Sequence, residues 1–359
     1  MGTCRTSKVD PDSGVSYVGH PIAELARREP EEVVFLLLHR RLPSGGELGA
    51  FTSDLRARQG LPRPVLQGLK TLPREGHPML WLVNGLTVLA MTGTSGSWEE
   101  DARNMVAWAP ELVAAIYRIR SGWGEPIPPR HDLGLIENFV HMLGVPGADT
   151  DGLTQLMRIF YILHLDHGGG NLSTFTGKTV ASSHADLFSS LAAAMCGLYG
   201  PLHGRANQDC LNFVRSVGSS DPERVASFVR QALANKEKIY GFGHAVLRAE
   251  DPRATLEYEL GERICGDDPL FRTAVVLRKV AVDVLKEMPK VSNPHPNVDA
   301  VSGTLLNALG LTDSSYYTVL FGLARMTGIS AQIVDERVHA RGGKGVPLYR
   351  PKYIAKDQG

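Results

Sequence analysis

Five short segments of this 359-residue chain carry side chains whose types and spacing suit acid–base chemistry on a small anion. The most constrained is Gly200-Pro201-Leu202-His203-Gly204, set between two apolar patterns of helical spacing. Leu187, Phe188, Leu191, Ala192, Met195 and Tyr199 precede it, and Ala206, Cys210, Phe213, Val214 and Val217 follow. Gly200 and Pro201 end the first helix because proline lacks an N–H and restricts the residue before it. His203 therefore occupies a fixed helix–helix corner, where a rigid imidazole can move a proton. A core histidine bonded to a carbonyl has the same surroundings, and this segment alone fits both.

The other segments are ambiguous in the same way. Leu153, Leu156, Met157, Phe160 and Tyr161 form one helical face that His164 and His167 extend, followed by Gly168-Gly169-Gly170-Asn171. Three glycines let backbone approach a ligand closely, but no G-K-[ST] follows, so this is not a phosphate loop. His164, Asp166 and His167 lack a signalled further ligand, so no metal is expected. Gly241-Phe242-Gly243-His244 precedes Arg248 by one turn. It has neither the strand nor the third glycine of a dinucleotide site. A histidine and an arginine there suit a carboxylate or carbonyl, or decorate a surface loop. Asp251-Pro252-Arg253 then opens a helix, with Asp as N-cap and Pro at its first position.

Asn293-Pro294-His295-Pro296-Asn297-Val298-Asp299 is a rigid approach to a helix holding Leu305, Leu306 and Leu309. Asp299 at its first turn is a capping residue or a positioned base. Arg325 has Phe321 and Ile329 as its i−4 and i+4 neighbours, so its face is hydrophobic and it needs an anion, from protein or ligand. Arg350 stands beside Pro351, three residues after Pro347.

The elements that must hold these groups are helical. Helical patterns cover 31–42, 51–59, 64–72, 79–91, 99–120, 133–143, 153–165 and 182–199, with one short strand expected in 15–20. A more charged block follows, with helices near 206–217, 221–235, 253–265 and 269–288, and the chain returns to an apolar helix at 316–334. The fold class is all-α: a large helical domain, 1–204 and 311–359, interrupted by a smaller one, 205–310. Lys+Arg and Asp+Glu are equal at 38 each, so no global charge favours nucleic acid or membrane. The four scattered cysteines read as small hydrophobes in a reducing compartment, and the lack of a targeting segment points to the cytoplasm, or to the mitochondrial matrix for a processed chain.

Taken together, His164–Asn171, Gly200–Asn207, Gly241–Arg248, Pro296–Gly303 and Leu348–Pro351 resemble citrate synthase over nearly the full length. The resemblance implies condensation of acetyl-CoA with oxaloacetate and hydrolysis of citryl-CoA, at the start of the tricarboxylic acid cycle, with no cofactor or metal. 2-Methylcitrate synthase, using propionyl-CoA, is the alternative. By position it implies His203, His244 and Asp299 as catalytic residues. His167, Asn171, Arg248, Phe321, Arg325 and Arg350 would bind oxaloacetate or citrate, Arg350 in the partner's site of a homodimer. Gly241, Phe242, Gly243, Lys290 and Asn297 would meet CoA. The tail around Glu336–Lys344 is unusually basic, and Arg337, Arg341 or Lys344 is expected to contact CoA phosphate. The smaller domain would close on oxaloacetate, hinged near Leu198–Gly200 and Gly303.

Overall fold

The computed structural model describes residues 4–352. The chain starts with a small antiparallel sheet, β1 (Ser7–Asp10), β2 (Gly14–Tyr17) and β3 (His20–Pro21), in the order β1-β2-β3. Eight of the helices that follow lie before the Asn171 loop: α1 (Ile22–Leu25), α2 (Pro30–His39), α3 (Gly45–Ala57), α4 (Arg63–Leu69), α5 (Pro78–Thr92), α6 (Trp98–Ser121), α7 (Leu135–Leu143) and α8 (Thr150–His164). Then come α9 (Leu172–Ser182), α10 (Leu187–Leu198), α11 (Ala206–Val217), α12 (Pro222–Ala234), α13 (Pro252–Ile264), α14 (Pro269–Lys286), α15 (Asp299–Ala308) and α16 (Tyr317–Val334). A single π-helical turn, Asp335–His339, ends the helical part.

α16 is the axis of the structure. Each of its residues is buried, as a helix apolar on nearly every side requires, and it packs on α2, α5, α6, α8, α9 and α10. Gly328 makes one of these contacts possible: a Cβ there would lie 1.9 Å from the Leu165 carbonyl oxygen, so only glycine lets α16 cross the His164–His167 loop this closely. α11 to α15 pack largely on one another, while α13 and α15 also meet α8, and α11 meets α16.

Several elements differ from the sequence reading: α1 is unexpected, α3 begins at Gly45 rather than near 51, and the sheet and α9 are new. The expected single strand is a three-stranded sheet, in which Ser7 pairs with Tyr17 and Tyr17 with His20. The stretch before α10 contains a separate helix, α9, whose threonine-rich sequence has weak helix propensity. Tertiary packing on α10 and α16 overrides that, and Thr176 and Thr179 return their hydroxyls to the carbonyls four residues back.

Candidate active site

A cavity of about 520 Å³ opens where the loop after α8, the α10–α11 corner, the loop before α13, the start of α15 and α16 converge. Its walls bring together His167, Asn171, His203, His244, Asn297, Asp299, Phe321 and Arg325, which span more than 150 positions of sequence. They also include Arg253 and Lys8, which sequence reasoning did not place there.

The local geometry fixes which nitrogen of each histidine carries the proton. The Ser173 backbone N–H lies 3.3 Å from His203 Nε2, with the Ser173 hydroxyl at 2.9 Å. A backbone N–H can only donate, so Nε2 accepts and the proton sits on Nδ1, which has no protein partner among the described residues. His244 is the mirror case. Its Nδ1 accepts from the N–H groups of Val246 and Leu247, both at 3.0 Å, so its proton sits on Nε2. Burial, reinforced by Arg325, pushes His203 down to about 4, and burial with Arg253 lowers His244 as well. Both rings are therefore neutral hydrogen-bond donors at pH 7. His167 lies 5.2 Å from His244 between ring centroids, and its buried Nε2 has no partner among the described residues.

Asp299 is the first residue of α15, but its side chain does not cap the helix, whose N-cap is Val298 with no side-chain cap bond. The capping reading therefore fails, and the carboxyl is left to the cavity. A paired backbone holds it opposite His244: Gly243 N–H donates to His295 O at 2.9 Å, and Asn297 N–H to Gly241 O at 2.9 Å. Asn297 locks this pairing further, donating Nδ2 to Gly243 O at 2.8 Å and accepting from Asp299 N–H at 3.0 Å. Burial pushes the Asp299 carboxyl up to about 6; Arg253 and Arg325 oppose the rise and Asp251 adds to it. A base with that affinity is ionised at neutral pH yet accepts protons far better than an exposed aspartate.

Two guanidiniums make the cavity an anion site. Arg325 is 2% exposed, sits 4.7 Å from the Phe321 ring centroid and donates Nε to His164 O at 3.1 Å. No carboxylate pairs with it among the described residues, and burial lowers it to about 10. Arg253 is equally buried and is held by Asp251 through a 2.7 Å ion pair. Burial works against the Asp251 carboxylate, but the Arg253 guanidinium outweighs it and holds the group below the ordinary range.

Arg248, the arginine expected here, is corrected by the structure. It is exposed, lies outside the cavity, and donates to the carbonyls of His244, Ala245 and Leu247. The signal for Arg253 was in the sequence: Asp251 and Pro252 begin α13, so the next residue is fixed on its first turn, beside a carboxylate that can orient it. His164 takes the core reading, with Nδ1 on Phe160 O at 2.8 Å. Asn171 lines the cavity but spends its amide on shaping the loop, donating to Gly168 O and His167 O and capping α9 through Thr174 N–H. Among the described residues no three His, Cys, Asp or Glu side chains converge as a metal site.

A second cavity, about 510 Å³, adjoins the first and shares His244, Gly243's neighbour, and Asn297 with it. Gly241, Phe242, Gly243 and Lys290 line it, as does Lys238. The basic tail does not. Arg337 is buried and donates to Ala181 O and Val346 O, Arg341 donates to Gly345 O, and neither these nor Lys344 lines either cavity. The tail is anchored by Tyr349, whose N–H meets Ser182 Oγ and whose hydroxyl meets Glu336, leaving Arg350 exposed.

An all-α chain that joins two neutral histidine donors, an elevated carboxylate and two buried guanidiniums in one cleft belongs to the enzymes of carbon–carbon bond-forming acyl transfer. A family profile described as "Citrate synthase, C-terminal domain" matches residues 1–352, and the chain belongs to the citrate synthase family. It is 37% identical to "Citrate synthase 4, mitochondrial" of Arabidopsis thaliana over 382 residues, covering 98% of this chain and 79% of that one. The mitochondrial citrate synthase of Citrus maxima is likewise 37% identical with the same coverage. The crystal structure of citrate synthase from Thermotoga maritima superposes with a TM-score of 0.85 at 29% identity, covering all of this chain and 94% of the other. The Thermoplasma acidophilum enzyme, in a ternary complex with carboxymethyl coenzyme A and oxaloacetate, shares the fold with a TM-score of 0.88 at 23% identity, over all of this chain and 95% of that one.

Proposed function

We propose that this chain condenses acetyl-CoA with oxaloacetate and releases citrate and CoA. The observation that carries the reading is the convergence of His203, His244 and Asp299 on one cavity floored by Arg253 and Arg325. Asp299 removes a methyl proton from the thioester while His203 Nδ1–H donates to its carbonyl oxygen, giving an enol or enolate. The new nucleophilic carbon attacks the ketone of oxaloacetate, and His244 Nε2–H donates to the oxygen on which charge develops. Arg253, Arg325 and His167 hold the two carboxylates, and water then hydrolyses the citryl thioester. The adjoining cavity, with Lys238 and Lys290 on its wall, takes the CoA moiety.

Residues 205–310 would move as a unit to close the cleft and exclude water during condensation. A homodimer suits the exposed apolar side chains of α5 and α9, Leu80, Met91, Leu172 and Phe175, and an outward Arg350 reaching the partner's site. The mitochondrial relatives favour a matrix setting over a cytoplasmic one. Among the described residues no helix is long and apolar enough to cross a membrane.

A thiol-release assay with acetyl-CoA and propionyl-CoA, each with and without oxaloacetate, tests the reading. Acetyl-CoA with oxaloacetate should be the best pair by at least roughly tenfold in kcat/KM, the discrimination one methylene supports. Equal or faster turnover of propionyl-CoA would assign the chain to methylcitrate formation instead. The arginine assignment has its own check. Arg253→Lys keeps the charge for Asp251 but loses the fork, so it should raise oxaloacetate KM by roughly tenfold or more. Arg248→Lys should leave that KM within about twofold, and the reverse order would return the role to Arg248.

A further inference from the structure

The loop that carries His167 is held from behind by a buried polar chain that the reaction scheme above does not use. Gln332, buried on α16, stands at its centre. Its Nε2 donates to Asp166 Oδ1 at 2.7 Å and to Gly168 O at 3.2 Å, so one amide grips both neighbours of His167. Asp166 Oδ1 also accepts the His167 backbone N–H at 2.8 Å, and its Oδ2 accepts the Thr6 hydroxyl at 2.7 Å. The backbone of His167 is thereby fixed while its ring lines the cavity.

The direction of that amide is decided on α9. Lys178 Nζ lies 3.2 Å from Gln332 Oε1 and can only donate, which turns the amide oxygen to the lysine and the NH2 to the loop. Lys178 is buried and pairs at 2.7 Å with Glu336, a carboxylate as buried as itself. Desolvating such a pair costs more than filling the same space with apolar side chains, so its retention calls for a role. Glu336 also accepts the Tyr349 hydroxyl at 2.8 Å. The chain therefore runs from the C-terminal tail through Glu336, Lys178 and Gln332 to the His167 loop. The loop rests directly on it: a Cβ at Gly169 would lie 3.0 Å from Lys178 Nζ and 3.4 Å from Gln332 Oε1.

We propose that Lys178, Gln332 and Glu336 are positioning residues that aim His167 at the dicarboxylate acceptor and tie that aim to the seating of the Tyr349 tail. The proposal rests on the functional reading above, and the test separates the two. Wild-type condensation with oxaloacetate is measured first; no turnover there overturns the reading itself. With turnover established, Gln332→Met should raise the oxaloacetate KM roughly tenfold, the worth of the two hydrogen bonds lost to the loop. Its kcat and acetyl-CoA KM should stay within about twofold, a split that general damage to the fold would not give. Tyr349→Phe removes one hydroxyl from a half-buried ring, so the fold stays, and it should raise the oxaloacetate KM about two- to fourfold. The two effects should not multiply: in the Gln332→Met background, Tyr349→Phe should move that KM by less than about 1.5-fold. Calorimetric titration of oxaloacetate into the same variants gives the ranking without turnover. An unchanged oxaloacetate KM in either single variant overturns the assignment, as do matched losses in kcat and both KM values. Full multiplication of the two effects overturns it too, because the tail would then act by a route that bypasses Gln332.

Discussion

Replacing Asp299 by Asn should lower kcat by roughly 10²–10⁴-fold, the range general-base catalysis supplies, while oxaloacetate still binds. The expectation follows from the carboxyl's surroundings. It heads α15 without capping it, and the Gly241–Asn297 backbone pairing holds it in place. Asn preserves size and the backbone bond to Asn297, so the fold stays and only proton affinity is lost. The pH profile gives an independent reading. Burial raises Asp299 to about 6, so the base becomes protonated, and inactive, as pH falls through that value. The acid limb of kcat/KM in the wild type should therefore have its midpoint near 6, because kcat/KM reports the free enzyme. His203, held down at about 4, stays neutral across this window and does not produce the limb. A midpoint near 4, or a variant with near-normal kcat, would remove Asp299 from the role of base.

Arg325→Met should have opposite effects on binding and on stability. The guanidinium is almost fully buried, makes one hydrogen bond to a backbone carbonyl and one contact with the Phe321 ring, and has no paired carboxylate among the described residues. An ionised group in that position costs folding free energy, and a methionine of similar length removes the cost, stabilising the unliganded protein by about 1–3 kcal/mol. The ligand's carboxylate loses two charge-assisted hydrogen bonds, so kcat/KM for oxaloacetate should fall by roughly 10³-fold. Thermal unfolding and steady-state kinetics on one preparation check both signs. A lower Tm with preserved kcat/KM would mean that Arg325 is a structural residue. The same logic explains the contrast with Arg253, which Asp251 neutralises before any ligand arrives. One guanidinium is prepaired and oriented, while the other is kept open for the substrate.

Much of this was legible in the chain. Helix punctuation by proline, glycine and aspartate places α11 to α14 and α16 within a residue or two, because caps and breakers act locally. The types of the reacting side chains, and the rigidity of the corners carrying His203 and Asp299, belong to the same local level. α9 was not legible, since its threonines argue against a helix until α10 and α16 pack on it. The choice between Arg248 and Arg253 was not settled there either, although the Asp251–Pro252 start of α13 pointed to the second. Both follow His244 closely, and only the fold shows one turned out to loop carbonyls and the other inward beside Asp251.

The sequence by itself determined a predominantly helical chain and the inventory of acids, bases and cations, because local propensity and residue chemistry are written one position at a time. The tertiary structure alone decided which of them meet, which nitrogen of each histidine bears its proton, and which carboxyl is raised. Those properties come from burial and from partners distant in sequence, such as Ser173 against His203 and Asp251 against Asp299.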